Sequence, residues 1–145
     1  MTEPTETSQH PVQMVLSIGG RLLLALYFLV PGVSKITNFE GTAQYMADHG
    51  MVAIPFFLIL TIVLQVGGAL CLAIGYRVQL TAFVLAGLVL VISLMMHDFW
   101  NIEDAVQQAH ETQNFIKNLA IMAGLMVLAG GPQAMTWSLL GRKAG

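Results

Sequence analysis

The segment most informative about the fold runs from Ser93 to Asn118 and reads SLMMHDFWNIEDAVQQAHETQNFIKN. It closes one apolar run with HDFW at residues 97–100 and, after an acidic segment, opens the next with NFIKN at residues 114–118. Ionisable and amide side chains at the ends of long apolar segments are costly to place against lipid, so they indicate a functional site facing the protein interior. Phe99 and Trp100 stand where aromatic residues gather at membrane interfaces. The stretch therefore predicts two membrane helices with a candidate site where they meet.

The composition extends this interpretation to the whole chain. Hydrophobic residues make up 56% of the 145 residues and charged residues only 10%, whereas an ordinary soluble domain is about 25% charged. We therefore expect one integral membrane domain, with the lipid bilayer as its surroundings. The net charge of -2 argues against nucleic acid as a partner, because nucleic acid requires a basic face. Cys71 is alone, which excludes an internal disulfide and paired-thiol chemistry.

Four apolar runs are long enough to cross a bilayer as helices, at about residues 14–33, 55–74, 78–96 and 116–135. The predicted fold is all-α: an integral membrane four-helix bundle forming a single domain over residues 13–140. The first run is expected to end at Pro31-Gly32. Residues 34–54 are expected to hold a short interfacial helix, capped by Asn38 and stopped at Gly50.

The chain ends are predicted to be tails, disordered at residues 1–12 and basic at residues 141–145. An even number of spans places both termini on one side, together with the basic residues Arg77, Arg142 and Lys143. The opposite side has only Lys35 and Lys117. By the positive-inside rule, both termini are predicted to be cytoplasmic.

Five polar residues are candidates for binding a ligand. Lys35, His97, Lys117 and Asn118 fall near the outer boundary of the predicted bundle, and Gln65 falls near mid-bilayer. Each has a simpler interpretation. The two lysines are also suited to be interface anchors, His97 to donate to a backbone carbonyl, and Gln65 to form an interhelical hydrogen bond.

Arg21 is predicted to have a structural role at the inner leaflet. It lies about 10 Å inside the inner boundary and about 20 Å along the axis from Lys35, so it cannot share a contact shell with the outer residues. Its simpler interpretation is a side chain that extends to the headgroups. No zinc, phosphate-loop or nucleophile-elbow spacing is present, so no metal site is predicted. A haem would usually require a second axial ligand beside His97.

An ordered set of short motifs resembles the DoxX family of small four-helix bacterial inner-membrane proteins. The set covers about residues 20–132 and comprises Arg21, Phe28, Gly32, Ser34, Lys35, GTAQYM at 41–46, Gly67-Gly68, Gly75, HDFW at 97–100, FIKN at 115–118 and Gly130-Gly131-Pro132. Two positions depart from the family pattern. Gln65 stands where relatives often have Glu, which puts a proton-relay role there in doubt, and Ser138-Leu139-Leu140 replaces the usual Ser-Leu-Asp ending.

The resemblance implies an inner-membrane location and, for some members, a link to redox systems. Those members are a subunit of thiosulfate:quinone oxidoreductase or a membrane partner of sulfurtransferase and superoxide-detoxifying enzymes. We therefore expect a membrane subunit or accessory of a redox or thiol-stress system, rather than a complete enzyme. No cofactor is fixed by the sequence, and quinone is the candidate ligand, with thiosulfate as the anionic alternative. Competing hypotheses are a small-solute carrier or channel, with Arg21 and Gln65 lining a path, and a purely structural membrane partner. The protein partner and the oligomeric state are left open.

Overall fold

A computed structural model describes residues 11–131 of the chain. In this part the predicted all-α fold is confirmed, and no strand occurs. The elements in chain order are α1 (Pro11–Thr37), α2 (Phe39–Asp48), α3 (Ile54–Ile74), α4 (Val78–Met96), a 3-10 turn (Phe99–Asn101) and α5 (Ala105–Gly130). The predicted basic tail, most of the predicted N-terminal tail, the end of the fourth predicted span and Ser138-Leu139-Leu140 lie outside the described residues.

Four helices are long, but the described fold contains five, because the short segment after α1 forms α2. Three of them are long and apolar enough to cross a membrane: Pro11–Thr37, Ile54–Ile74, and α4 with its extension to Asn101. The described part of α5 does not meet that standard. Its first half is polar and its apolar half, which corresponds to the fourth predicted span, begins only near Ile116.

α1 does not end with its apolar run at Pro31-Gly32, as the sequence suggested, but continues to Thr37 with Pro31 inside the helix. A proline removes one helical hydrogen bond, and a membrane helix tolerates this because neighbouring helices and local adjustments satisfy the freed carbonyl. The extension of α1 to Thr37 matters for the site, because Lys35 belongs to the last turn of α1. A rigid helix therefore fixes the position of Lys35.

α5 also differs from the prediction, because it begins at Ala105 inside the segment that was expected to be a loop. Asp104 is its N-cap, and the Asp104 Oδ1 accepts a hydrogen bond from the Gln107 N–H at 2.8 Å. Such a cap satisfies one of the free N–H groups of the first turn and stabilises a helix start. As a result, Glu111, Asn114 and Lys117 lie three residues apart on one helix, close to a single face.

The short helix α2 forms where it was expected, with two differences in detail. Asn38 occupies the N-cap position, but its side chain makes no capping hydrogen bond. The helix ends at Asp48, and Gly50 follows with a φ of 69°. Glycine adopts this left-handed conformation without the steric cost of a Cβ atom, so Gly50 redirects the chain toward α3.

The bundle consists of two close helix pairs, α1 with α3 and α4 with α5, joined by contacts between α3 and α4. A core of small and branched residues lies between them, including Ala25, Phe28, Leu72, Leu85 and Leu125. A second cluster, formed by Met46, Leu58 and Met96, lies beneath α2.

Gly32 sets the spacing of the first pair. A Cβ atom at Gly32 would lie 2.9 Å from the Val66 Cγ2 and 3.2 Å from the Gln65 Cβ. Small residues allow membrane helices to approach closely, which is a main source of helix association in lipid. The close approach at Gly32 also brings Gln65 of α3 against α1.

Candidate functional site

A cavity of about 720 Å³ lies in the half of the bundle where α1 and α4 end. All five α-helices contribute to its wall. The ligand-binding residues predicted from the sequence are all in its lining, namely Lys35, Gln65, His97, Lys117 and Asn118. The structure therefore brings together residues that are far apart in the sequence and come from four helices.

Most of the cavity wall is apolar, with Phe28, Leu58, Leu88, Val89 and Ile92 among its residues. The polar groups are few, as is usual for ligand pockets, in which a small number of polar groups orients the ligand. Among the described residues no Asp or Glu contributes to the lining. The full charges facing the cavity are therefore positive.

Gln65 is one of two buried polar residues in the lining, together with Asn118. Its side chain is 5% exposed, and its Oε1 has no hydrogen-bond partner in the described part of the chain. An unsatisfied buried amide oxygen costs about 1–3 kcal/mol, so such groups are rare in folded proteins. A ligand with a hydroxyl or N–H group would satisfy this oxygen.

Lys35 and Lys117 face the same cavity in different ways. Lys35 is partly buried, and within residues 11–131 its ammonium group makes no hydrogen bond or ion pair. Lys117 is exposed at the mouth, where its Nζ donates to the Asn114 Oδ1 at 3.0 Å. Neither lysine has a carboxylate partner in this part of the chain.

Asn118 connects the two helices that border the open side of the cavity. Its side chain is 5% exposed, and its Oδ1 accepts a hydrogen bond of 2.7 Å from the Tyr27 hydroxyl. This bond joins α1 to α5. Because the amide oxygen is occupied by Tyr27, the Asn118 Nδ2 is available as a donor toward the cavity.

His97 does not donate to a backbone carbonyl from its side chain. Its Nδ1 lies 2.6 Å from the Glu111 Oε2, and the two side chains are 19% and 18% exposed. The Asn114 Nδ2 donates to the same carboxylate oxygen at 3.3 Å. A chain of polar contacts thus runs from His97 through Glu111 and Asn114 to Lys117.

Glu111 is the residue that the sequence interpretation missed. It was assigned to an acidic loop, because α5 was expected to start only at Ile116. The signal was present in the pair Asp104 and Gln107, a helix-start pattern that places Glu111 one helical turn before Asn114. The counter-charge near His97 is therefore Glu111. Asp98, the nearest carboxylate in sequence, instead accepts a hydrogen bond from Asn101.

Tyr45 connects α2 to the end of α4 beside the cavity. Its hydroxyl donates to the Met96 carbonyl at 3.3 Å, and its ring contributes to the lining. Partial burial raises the pKa of Tyr45 above its usual value, and the nearby carboxylates of Glu111 and Asp98 raise it further. The Tyr45 side chain is therefore neutral at physiological pH.

Arg21 lies outside the cavity lining. Its side chain is 2% exposed and packs inside the bundle. The sequence-based separation of Arg21 from the outer residues agrees with this placement. Its structural role near the inner leaflet stays a prediction.

The family model DoxX matches residues 16–98, which run from within α1 to just past the end of α4. Inner membrane protein YqjF of Escherichia coli (strain K12) is 36% identical over 115 residues, covering 79% of this chain and 82% of the relative. Inner membrane protein YphA of the same strain is 30% identical over 124 residues, covering 84% and 87%. No solved structure gives a significant match.

These matches extend over most of the chain, and both relatives are named as inner membrane proteins. The three apolar helices described above are consistent with that location. The chain therefore belongs to the DoxX family and is a bacterial inner-membrane protein.

Proposed function

We propose that this protein binds a quinone in the cavity and acts as a membrane subunit or accessory of a redox or thiol-stress system. The observation that carries the proposal is an apolar cavity whose lining includes two donor groups, the Lys35 ammonium group and the Asn118 amide nitrogen. The accessory role is supported by the resemblance to family members that are linked to redox enzymes.

The cavity has a size and a distribution of polar groups that suit a quinone. Its volume of about 720 Å³ lies in the usual range for small-molecule sites, roughly 300–1,000 Å³. A quinone presents an apolar ring and tail with two carbonyl acceptors. The Lys35 Nζ and the Asn118 Nδ2 are donors in the same wall and can hydrogen-bond such carbonyls.

Thiosulfate is the less suitable ligand for this cavity. It is small and doubly charged, and transferring a charged group from water into mostly apolar surroundings is expensive. Lys117 at the exposed mouth could contact such an anion, but the apolar wall deeper in the cavity would contribute nothing to its binding. The apolar lining therefore favours a ligand with a hydrocarbon body.

Equilibrium binding of decylubiquinone to the protein in nanodiscs tests the proposal. We expect saturable binding, and we expect Lys35→Met to weaken it about tenfold, because a hydrogen bond to a charged group contributes about 1.5–3 kcal/mol. Arg77→Met is the matched control, since it removes a cation from the turn between α3 and α4, away from the cavity.

The alternatives give different results in the same preparation. Solute flux through protein-containing liposomes, without quinone binding, would favour a carrier or channel. Absence of both binding and flux would leave a structural membrane partner. Equal weakening by Lys35→Met and Arg77→Met would contradict the assignment of the site.

A further inference from the structure

We propose that the cavity binds the reduced, hydroxyl-bearing form of its ligand and ionises it, with His97 as the proton acceptor. The inference rests on the proposed quinone site and names the chemical class of its preferred ligand, a hydroquinone or another phenol with an apolar tail. Three features of the cavity carry it: its unbalanced positive charge, the orientation of the His97 ring and the acceptor atom of Gln65.

The charge of the lining favours an anionic head group. Lys35 and Lys117 both face the cavity, no acidic residue of the described chain lines it, and neither ammonium group has a carboxylate partner there. Two nearby cations favour the charged form of an acid placed between them. A phenol bound at this point is therefore a stronger acid than the same phenol in lipid.

The geometry of His97 leaves one ring nitrogen for the ligand. Nδ1 is held by Glu111 at 2.6 Å, while Nε2 has no hydrogen-bond partner within residues 11–131. A neutral imidazole that donates its Nδ1–H to a carboxylate has a lone pair on Nε2, which makes Nε2 a proton acceptor. His97 is part of the cavity lining, and in the proposed complex its Nε2 meets the ligand.

Glu111 is a positioning residue in this arrangement. It orients the imidazole and stabilises the positive charge that His97 acquires, as a carboxylate behind a catalytic histidine does in hydrolases. The other titratable groups nearby are Tyr45 on α2, Lys35 on α1, Lys117 on α5 and Asp98, which follows His97 in the chain. Asp98 accepts a hydrogen bond from Asn101 and does not line the cavity, so Nε2 of His97 is the proposed proton acceptor.

The proposed step is a proton transfer and involves no redox change. The O–H bond of the ligand breaks, an N–H bond forms at His97 Nε2, and the electron pair of the O–H bond stays on the oxygen. The resulting oxyanion faces Lys35, and the imidazolium faces Glu111. Each new charge therefore has an opposite charge beside it.

Gln65 supports the reduced form rather than the oxidised one. Its Oε1 is an acceptor, is buried, and has no donor among the described residues. A quinone has only acceptor oxygens and would leave this atom unsatisfied. A hydroquinone has a second hydroxyl group that can donate to it.

A chromophoric phenol tests the inference without any redox activity. The probe is an alkyl-substituted para-nitrophenol, whose absorbance distinguishes the neutral phenol from the phenolate. In nanodiscs we expect the ionisation midpoint of the bound probe to fall by about one pH unit or more relative to empty nanodiscs, as expected for an acid beside a cation. Lys35→Met should reverse most of this shift, and Lys35→Arg should retain it.

Calorimetric titrations in buffers of different ionisation enthalpy test the role of His97. At a pH about one unit below the ionisation midpoint of the probe in empty nanodiscs, where the lipid-dissolved probe is mostly neutral, the wild-type protein should bind the probe as phenolate and keep its proton on His97. His97→Asn preserves a donor for Glu111 and removes Nε2. This variant should release the proton to the buffer, and thermal unfolding in detergent confirms that it is folded.

Three outcomes would overturn the inference or its basis, and they can be told apart. If decylubiquinone binds but the probe stays neutral, ionisation by the site is wrong while the quinone site survives. If wild type and His97→Asn release equal numbers of protons, His97 is not the acceptor. If neither decylubiquinone nor the probe binds, the proposed function itself is contradicted.

Discussion

At the scale of single residues, the pair of His97 and Glu111 is the main addition that the structure makes to the sequence. The polar residues at the helix ends could be recognised because such groups are costly beside lipid. Their partners could not be assigned, because the pairing depends on where α5 begins and how it is rotated against α4. For Lys35 and Gln65, in contrast, the sequence identified both residues as candidates and there was no partner to assign. Within the described residues, the Lys35 ammonium group and the Gln65 Oε1 have no partner.

Replacing Glu111 with Gln should lower stability modestly. The Glu111 carboxylate contacts the His97 Nδ1 at 2.6 Å in a mostly enclosed setting, and Gln keeps the shape but loses the charge. We expect a loss of about 1 kcal/mol in the free energy of unfolding, measured by thermal unfolding in detergent at one fixed pH. Glu103→Gln, at an exposed position, is the control and should have little effect. Equal effects would remove the support for the pair.

Tyr45 should make stability sensitive to alkaline pH. Burial, Glu111 and Asp98 raise its pKa in the folded protein, so the neutral hydroxyl stabilises the fold fully below about pH 10, the unfolded pKa. This contribution is lost as the pH rises through the higher folded pKa. Tyr45→Phe cannot ionise, and its melting temperature should fall less steeply above about pH 10. Parallel pH profiles for the two proteins would contradict this expectation.

At the scale of the helices, the sequence predicted the apolar segments well and their ends poorly. Apolar runs report where lipid contacts the chain, whereas the helical backbone continues through polar residues wherever caps and neighbours support it. α1 passes through Pro31, and α5 starts from the Asp104 cap. These two extensions bring Lys35 and Glu111 to the site. The errors in the predicted helix ends therefore also affected the predicted site.

The contact of α1 with α3 gives a prediction at this scale. Gly32→Ala would bring a methyl group within 2.9 Å of Val66 and 3.2 Å of the Gln65 Cβ. Overpacking of this kind usually costs about 1–3 kcal/mol, and it should also reduce ligand binding because Gln65 lines the cavity. Gly67→Ala is the matched control, since nothing lies within 4 Å of its added Cβ atom. The comparison uses melting temperature and decylubiquinone binding, and equal behaviour of the two variants would contradict the tight contact.

At the scale of the whole molecule, Arg21 is separated from the polar residues that line the cavity. The sequence also predicted this separation. The cavity lies at the end where α1 and α4 finish and the apolar half of α5 begins, and Arg21 lies in the first half of α1, outside the cavity. The membrane class could be predicted because composition alone excludes a water-covered surface. The cavity could not, because its wall combines residues of helices that are distant in the sequence, and their packing is not visible in a sequence pattern.

The orientation of the bundle stays a prediction from the basic residues. Arg77, Arg142 and Lys143 outnumber Lys35 and Lys117 on the opposite side, so both termini should be cytoplasmic. A reporter that is active only in the periplasm, fused after Lys143, should therefore be inactive. The same reporter inserted after Asn101, between α4 and α5, should be active. An active fusion after Lys143 would reverse the orientation and turn the cavity toward the cytoplasm.

Photoaffinity labelling with an azidoquinone tests the central claim, the location of the ligand site, most directly. We expect labelled peptides from residues 27–35 of α1 and from residues 88–97, at the end of α4, because residues of both ranges line the cavity. Excess decylubiquinone should reduce this labelling. Labelling concentrated on exposed positions such as Leu23, Phe83 and Val127, and unaffected by decylubiquinone, would show partitioning into lipid instead. That result would contradict a quinone site in this cavity.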